Sequence, residues 1–310
     1  VSVLSVVRGY YQGKGNMYPT AITEVCEQLI KVGLGICLAY FYRSSVTKAV
    51  KGAIFAVTIS ELISALLAIA YYSFNARSIK PLYCERKTYI KEILKYTLPL
   101  TFTAMAMPLS QLLESIVIVN ILRGTTEQAT ALYGVFSGCA ITIVNLPVSI
   151  TYGLAAASVP KISPIADSGD MVAAKAQAKK CILVTILISL PMAVALYFLS
   201  PIAAKLIFSS LSDEHRQLLI TLVKIMSVNA VTLSLVQTSS ACLTSLGYPL
   251  KGTISGWTAA ILRVALTFLL IKFTSLSIVA AAISANCCYL VAVIMNFCYI
   301  ISVKKKGGAN

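Results

Sequence analysis

The sequence predicts an all-α integral membrane fold, and three observations predict it. Apolar runs of about 20 residues, the length an α-helix needs to cross roughly 30 Å of hydrocarbon, recur along the whole chain. Of 310 residues, 58% are hydrophobic and 12% charged, about half the share of charge in a soluble domain. The Lys and Arg residues behind the formal charge of +15 fall between the apolar runs and form no contiguous basic domain. They point to anionic lipid headgroups as partners and not to nucleic acid.

The elements follow in chain order. A partial span at 1–7 comes first; the chain opens on Val1 inside an apolar run, so the N-terminus reads as truncated. Eight complete spans are expected near 19–42, 52–74, 97–119, 134–157, 181–205, 217–245, 251–272 and 275–303. The span 19–42 carries Glu24, Glu27 and Lys31 at spacings of three and four, so they share one face, with Glu27 and Lys31 placed to pair. The next holds Glu61 alone among apolar residues. Between Asn75 and Tyr96 basic and apolar residues mix, which fits an interfacial amphipathic linker or a solvated basic loop. The span 97–119 is broken by Pro99 and Pro108 and sets Gln111 and Glu114 on one face. Asn145 and Pro147 interrupt the next span, Pro191 lies in the one after, and Arg263 sits inside 251–272. The nine cysteines have no metal-ligand spacing and read as small buried residues, with Cys287 and Cys288 on different helix faces.

Sorting the ends of alternate spans puts most Lys and Arg on one side, including Arg8, Lys14, the cluster Arg77 to Lys95, Lys161, Lys175 to Lys180 and Lys304 to Lys306. That side is assigned to the cytoplasm.

An internal repeat is visible at an offset of 232 residues, which aligns Gly15 with Gly247, Ile22 with Ile254, Thr23 with Ser255, Lys31 with Arg263 and Val32 with Val264. Lys31 and Arg263 each lie twelve residues past the cytoplasmic start of their spans, about 18 Å deep. A cation at that depth costs about 2.5 to 3.5 kcal/mol on insertion scales. Parallel copies predict two similar bundles related by an axis along the membrane normal, with both cations lining a cavity between them.

Intramembrane charges need a partner, water or a substrate. Lys31, Arg263 and Asn145 are therefore candidate substrate contacts, and Glu24, Glu27, Glu61 and Glu114 are candidate sites for a coupling proton or sodium ion. Inter-helix pairing accounts for the same residues without transport. Pro99, Pro108, Pro147 and Pro191 are hinge candidates, and static kinks fit them equally. No span joins a nucleophile to a matched base, and His215 is the only histidine. No catalytic residue, cofactor or metal site is expected, although carboxylate-only glycosyl chemistry stays open.

Arg8-Gly9-Tyr10-Tyr11-Gln12-Gly13, followed by Gly15-Asn16-Met17-Tyr18-Pro19-Thr20-Ala21, resembles the loop after the fourth helix in the stage V sporulation protein B and polysaccharide-exporter branch of the MATE/MOP superfamily. Further matching segments are Gln111 to Glu114, Tyr133 to Gly138, Val144 to Pro147 and Val159 to Ser163. Glu114 stands where family members more often have Asp. The resemblance implies a two-lobed helical bundle seen from the end of helix four to helix twelve. Residues 1–96 would be the second half of an N-terminal lobe, 97–303 a C-terminal lobe and 304–310 a basic cytoplasmic tail. It also implies alternating-access flipping of a lipid-linked saccharide or peptidoglycan precursor across the cell membrane, with Arg8 and Gln12 joining the candidate contacts. A multidrug/cation antiporter of the same superfamily, a membrane glycosyltransferase or polymerase, and an envelope scaffold are the competing readings.

Overall fold

The computed structural model describes residues 2–75, 86–124 and 128–303. The chain forms two compact units, Val1–Glu85 and Arg86–Asn310. Residues 76–85 of the linker Asn75 to Tyr96, and the tail 304–310, lie outside the described residues, while 86–96 form the first turns of a helix that continues to Arg123.

The first unit comprises α1 (Ser2–Gly13), α2 (Tyr18–Phe41) and α3 (Val46–Asn75). The chain turns from α1 into α2 at Gly15, whose φ is +75°, a conformation that costs glycine little. The Asn16 N–H donates to the Tyr11 carbonyl and the Gly15 N–H to that of Gln12, both at 2.9 Å. These two bonds are a Schellman cap on α1, and Pro19 stands in the first turn of α2, where its missing N–H is not needed. α2 and α3 form an antiparallel hairpin. Gly52, Ala56, Ser60, Ser64 and Ala68 make a buried small-residue stripe on α3; a Cβ at Gly52 would meet Leu38 Cβ at 3.2 Å, so small size allows this close approach. Edge-to-face pairs Tyr10–Tyr72 and Tyr11–Tyr71 hold α1 on α3.

The second unit comprises α4 (Arg86–Arg123), α5 (Ala129–Gly134), a π-helical turn (Val135–Ala140), α6 (Ile141–Asp167), α7 (Met171–Ile207), α8 (Asp213–Ser245), α9 (Pro249–Phe273) and α10 (Val279–Ser302). α8 is its centre and packs against α6, α7, α9 and α10, while α4 packs along α9. α8 starts on Ser212, whose side chain accepts from the His215 N–H, and carries Asp213 and Glu214 in its first turn, favourable at the positive end of a helix dipole. Its C-terminus repeats the α1 cap: Tyr248 N–H to Leu243 carbonyl, Gly247 N–H to Thr244 carbonyl, with Gly247 at φ +84°. These residues match Asn16, Tyr11, Gly15 and Gln12 at the offset of the internal repeat, so the repeat extends to backbone hydrogen bonding.

Helices α6 to α8 are tied by Thr151–Ser234 at 2.6 Å and Thr185–Thr238 at 3.0 Å. Asn296 of α10 donates to Ser239 and Ser240 of α8 and accepts from Ser255 of α9. Such bonds join helices where no hydrophobic force acts between them.

Seven helical runs among the described residues are long and apolar enough to cross a bilayer: α3, 104–123 of α4, the continuous run 129–167, α7, α8, α9 and α10. The eighth expected full span, α2, is a continuous 24-residue helix, but Glu24, Glu27 and Lys31 make it too highly charged to count by composition. The helices pass unbroken through Pro99, Pro108, Pro147 and Pro191. α6 and α7 also run well beyond the expected 134–157 and 181–205, because their polar ends continue the helix outside the apolar stretch.

Candidate functional site

Each unit has its own polar constellation. In the first, Glu27 of α2 holds two cations: Arg8 Nη2 donates to Oε2 at 3.1 Å and Lys31 Nζ to Oε1 at 3.3 Å. The Lys31 contact follows from the spacing of four, whereas Arg8 arrives from α1 through the Gly15 turn. Arg8 Nε also donates to Thr23 Oγ1 at 3.0 Å, and Gln12 Nε2 to Thr20 Oγ1 at 3.4 Å. Glu24 stands apart, 58% exposed and 3.9 Å from Arg8. Arg8, Glu24 and Glu27 border an open groove of about 590 Å³ with Val25 and Leu29. Glu61 is half-buried on α3 and has no hydrogen bond or ion pair to another described residue.

In the second unit, Glu114 of α4 and Arg263 of α9 form an ion pair at 2.7 Å, each side chain 2% exposed. Thr267, one turn beyond Arg263, donates to the other carboxylate oxygen at 3.1 Å. Arg263 Nη1 donates to the Tyr289 hydroxyl of α10 at 2.9 Å. Both oxygens of Glu114 are therefore engaged and its charge is met inside the bundle. Arg263 Nε is buried without a partner.

Arg263 also borders a polar cleft. A cavity of about 50 Å³ is lined by Arg263, Asn229, Asn145, Gln111 and Tyr289 among others. A second of about 380 Å³, lined in part by Gln237, Ser149 and Tyr152, shares Gln111, Asn145, Leu233 and Tyr289 with it. The Oδ1 of Asn229 and the Oε1 of Gln237 are buried with no hydrogen-bond partner. An unmatched polar group in an apolar interior costs about 1–3 kcal/mol, so these atoms belong to a place where water or a ligand completes them.

Asn145 and Arg263 are thus brought to one cleft, with Glu114 locked behind Arg263. Sequence reasoning missed Asn229, Gln237, Thr267 and Tyr289. Uncharged amides within an apolar helix were the available signal for the first two, since such groups also demand partners.

A two-unit, all-α bundle with buried charge and a polar cleft among bilayer-length helices defines a multi-pass membrane protein of transporter type. The chain belongs to the polysaccharide biosynthesis protein family, whose model matches residues 1–166. The MatE family model matches residues 137–269, and the superfamily is MATE/MOP. Stage V sporulation protein B of Bacillus subtilis is 32% identical over 53% of this chain and 33% of its own length. The lipid II flippase MurJ of the same organism is 22% identical over 99% of this chain and 58% of its own. The chain therefore spans about a third to three-fifths of the length of these relatives. A crystal structure of MATE in complex with MaL6 superimposes with a TM-score of 0.79 at 19% identity, covering 96% of this chain and 65% of that one.

Proposed function

We propose that the protein flips a lipid-linked oligosaccharide or peptidoglycan precursor across the cell membrane by alternating access, in spore cortex or envelope polysaccharide synthesis. Family membership and the flippase and sporulation relatives support the substrate class. The observation that carries the reading is Arg263, a buried guanidinium that lines a polar cleft and whose Nε–H has no partner. A diphosphate moving through a low-dielectric interior needs a fixed cation, and guanidinium binds it through paired hydrogen bonds. Glu114 keeps that cation oriented until the substrate competes for it. Glu61, the carboxylate without a partner among the described residues, is the leading site for a coupling proton or sodium ion, with Glu24 and Glu27 behind it. The protein acts as a transporter and catalyses no covalent step.

A multidrug/cation antiporter is the second reading, favoured by the MatE match. A cationic substrate needs a free carboxylate in its path; the buried carboxylate of the second unit is already neutralised, which leaves Glu61 and Glu24 of the first unit for that role. Complementation separates the two. The full-length protein should restore growth to a strain depleted of its lipid-linked saccharide flippase and leave drug sensitivity unchanged. Drug resistance without rescue would favour the antiporter.

A further inference from the structure

The cleft beside Arg263 contains carboxamides with nothing to do. Gln111 of α4, Asn145 of α6, and Asn229 and Gln237 of α8 all line it. None makes a side-chain hydrogen bond to another described residue, and the buried oxygens of Asn229 and Gln237 are orphaned. Elsewhere in the bundle Asn296 satisfies its amide with three serines, while Asn286 donates to the Ile225 carbonyl at 2.8 Å and leaves its own oxygen without a partner. What sets this cleft apart is that it gathers four amides from α4, α6 and α8 around one space.

The chemistry of the lining selects the ligand. Arg263 is the one charged side chain among the described residues lining the two cavities, and the rest of the lining is neutral. It offers interleaved donors and acceptors, because each carboxamide presents both. It also offers aromatic surface, since Tyr289 lies on one side and the Tyr152 ring, 63% exposed, lies at the mouth. The larger cavity, about 380 Å³, falls within the roughly 300–1,000 Å³ typical of small-molecule sites. A pyranose matches this lining: vicinal hydroxyls meet paired amide donors and acceptors, and its face of axial hydrogens lies on an aromatic ring.

We propose that this cleft is a saccharide subsite, which reads the sugar of a lipid-linked substrate through Gln111, Asn145, Asn229 and Gln237 while Arg263 lies beside the diphosphate. The inference rests on the transport reading above and adds to it that the headgroup's sugar, not its charge alone, is recognised within the second unit.

The test uses the full-length protein in lipid nanodiscs and two probes, a polyprenyl diphosphate and the same lipid carrying an N-acetylated disaccharide. The quantity read is the ratio of their affinities. The wild-type protein should prefer the glycosylated lipid by tenfold or more, the sum of several net hydrogen bonds of about 1 kcal/mol each. Asn145→Leu, at the exposed mouth, and Gln237→Met, which keeps the side-chain length, should each lower the ratio several-fold, and together bring it close to one. Thermal unfolding checks that both variants are folded. A preference that survives both substitutions, or a wild-type protein that binds the two lipids equally, overturns the subsite and leaves the transport reading standing. Binding of neither lipid overturns the transport reading and the subsite with it.

Discussion

Glu114→Gln should be among the most damaging single changes in the second unit. Glu114 and Arg263 are each 2% exposed and meet at 2.7 Å, so neutralising the carboxylate strands a guanidinium in an apolar interior. Breaking a buried pair from one side costs about 3–5 kcal/mol. Arg263→Met should cost a similar amount, because Glu114 would keep only the Thr267 bond. Removing both charges together, Arg263→Met with Glu114→Gln, should cost far less than the sum of the two single changes, since no unpaired charge is then left buried. The assay is equilibrium unfolding of the purified protein in mixed micelles for all four proteins. A coupling energy of about 3 kcal/mol or more is expected, and effects that add to within about 0.5 kcal/mol would refute the pairing.

The two matched turns make a second prediction. Gly15→Ala and Gly247→Ala, at φ +75° and +84°, should each destabilise by about 1–2 kcal/mol. Gly256→Ala, in a helix interior with open space at its Cβ, should gain up to about 1 kcal/mol; equal effects in an unfolding assay would deny the left-handed caps. In the first unit, Glu27→Gln should open α1 measurably by hydrogen exchange, because Lys31 loses its charge partner and Arg8 the nearer of its two. Glu24→Gln, at an exposed 3.9 Å contact, should change little; equal protection in the two variants would contradict the ranking.

How much of this was legible in the sequence depends on where each partner lies. The Glu27–Lys31 pair is local, and helical spacing gives it directly. The spans and the internal repeat are legible for the same reason, since apolar length and a fixed offset are properties of a linear string. The Glu114–Arg263 pair joins α4 to α9, and no local period connects them; both residues stood out as buried charges, but not as partners of each other. Thr267, four residues after Arg263, is neutral and carried no comparable signal. α2 shows the limit of composition, because the polar face that makes it a candidate site is also what keeps it out of an apolar count. The amide cleft needed three dimensions, since Gln111, Asn145, Asn229 and Gln237 belong to α4, α6 and α8 and only packing brings them together.

The most direct measurement reconstitutes the full-length protein in proteoliposomes and follows translocation of a polyprenyl-diphosphate-linked saccharide for the wild type, Arg263→Lys and Arg263→Ala. Translocation by the wild type is expected, with Arg263→Lys keeping part of it, since an ammonium supplies the charge without the paired hydrogen bonds, and Arg263→Ala, though inserted and folded, showing none. Translocation at the wild-type rate by folded Arg263→Ala would contradict the role of this guanidinium, and no translocation by the wild type would contradict the proposed function itself.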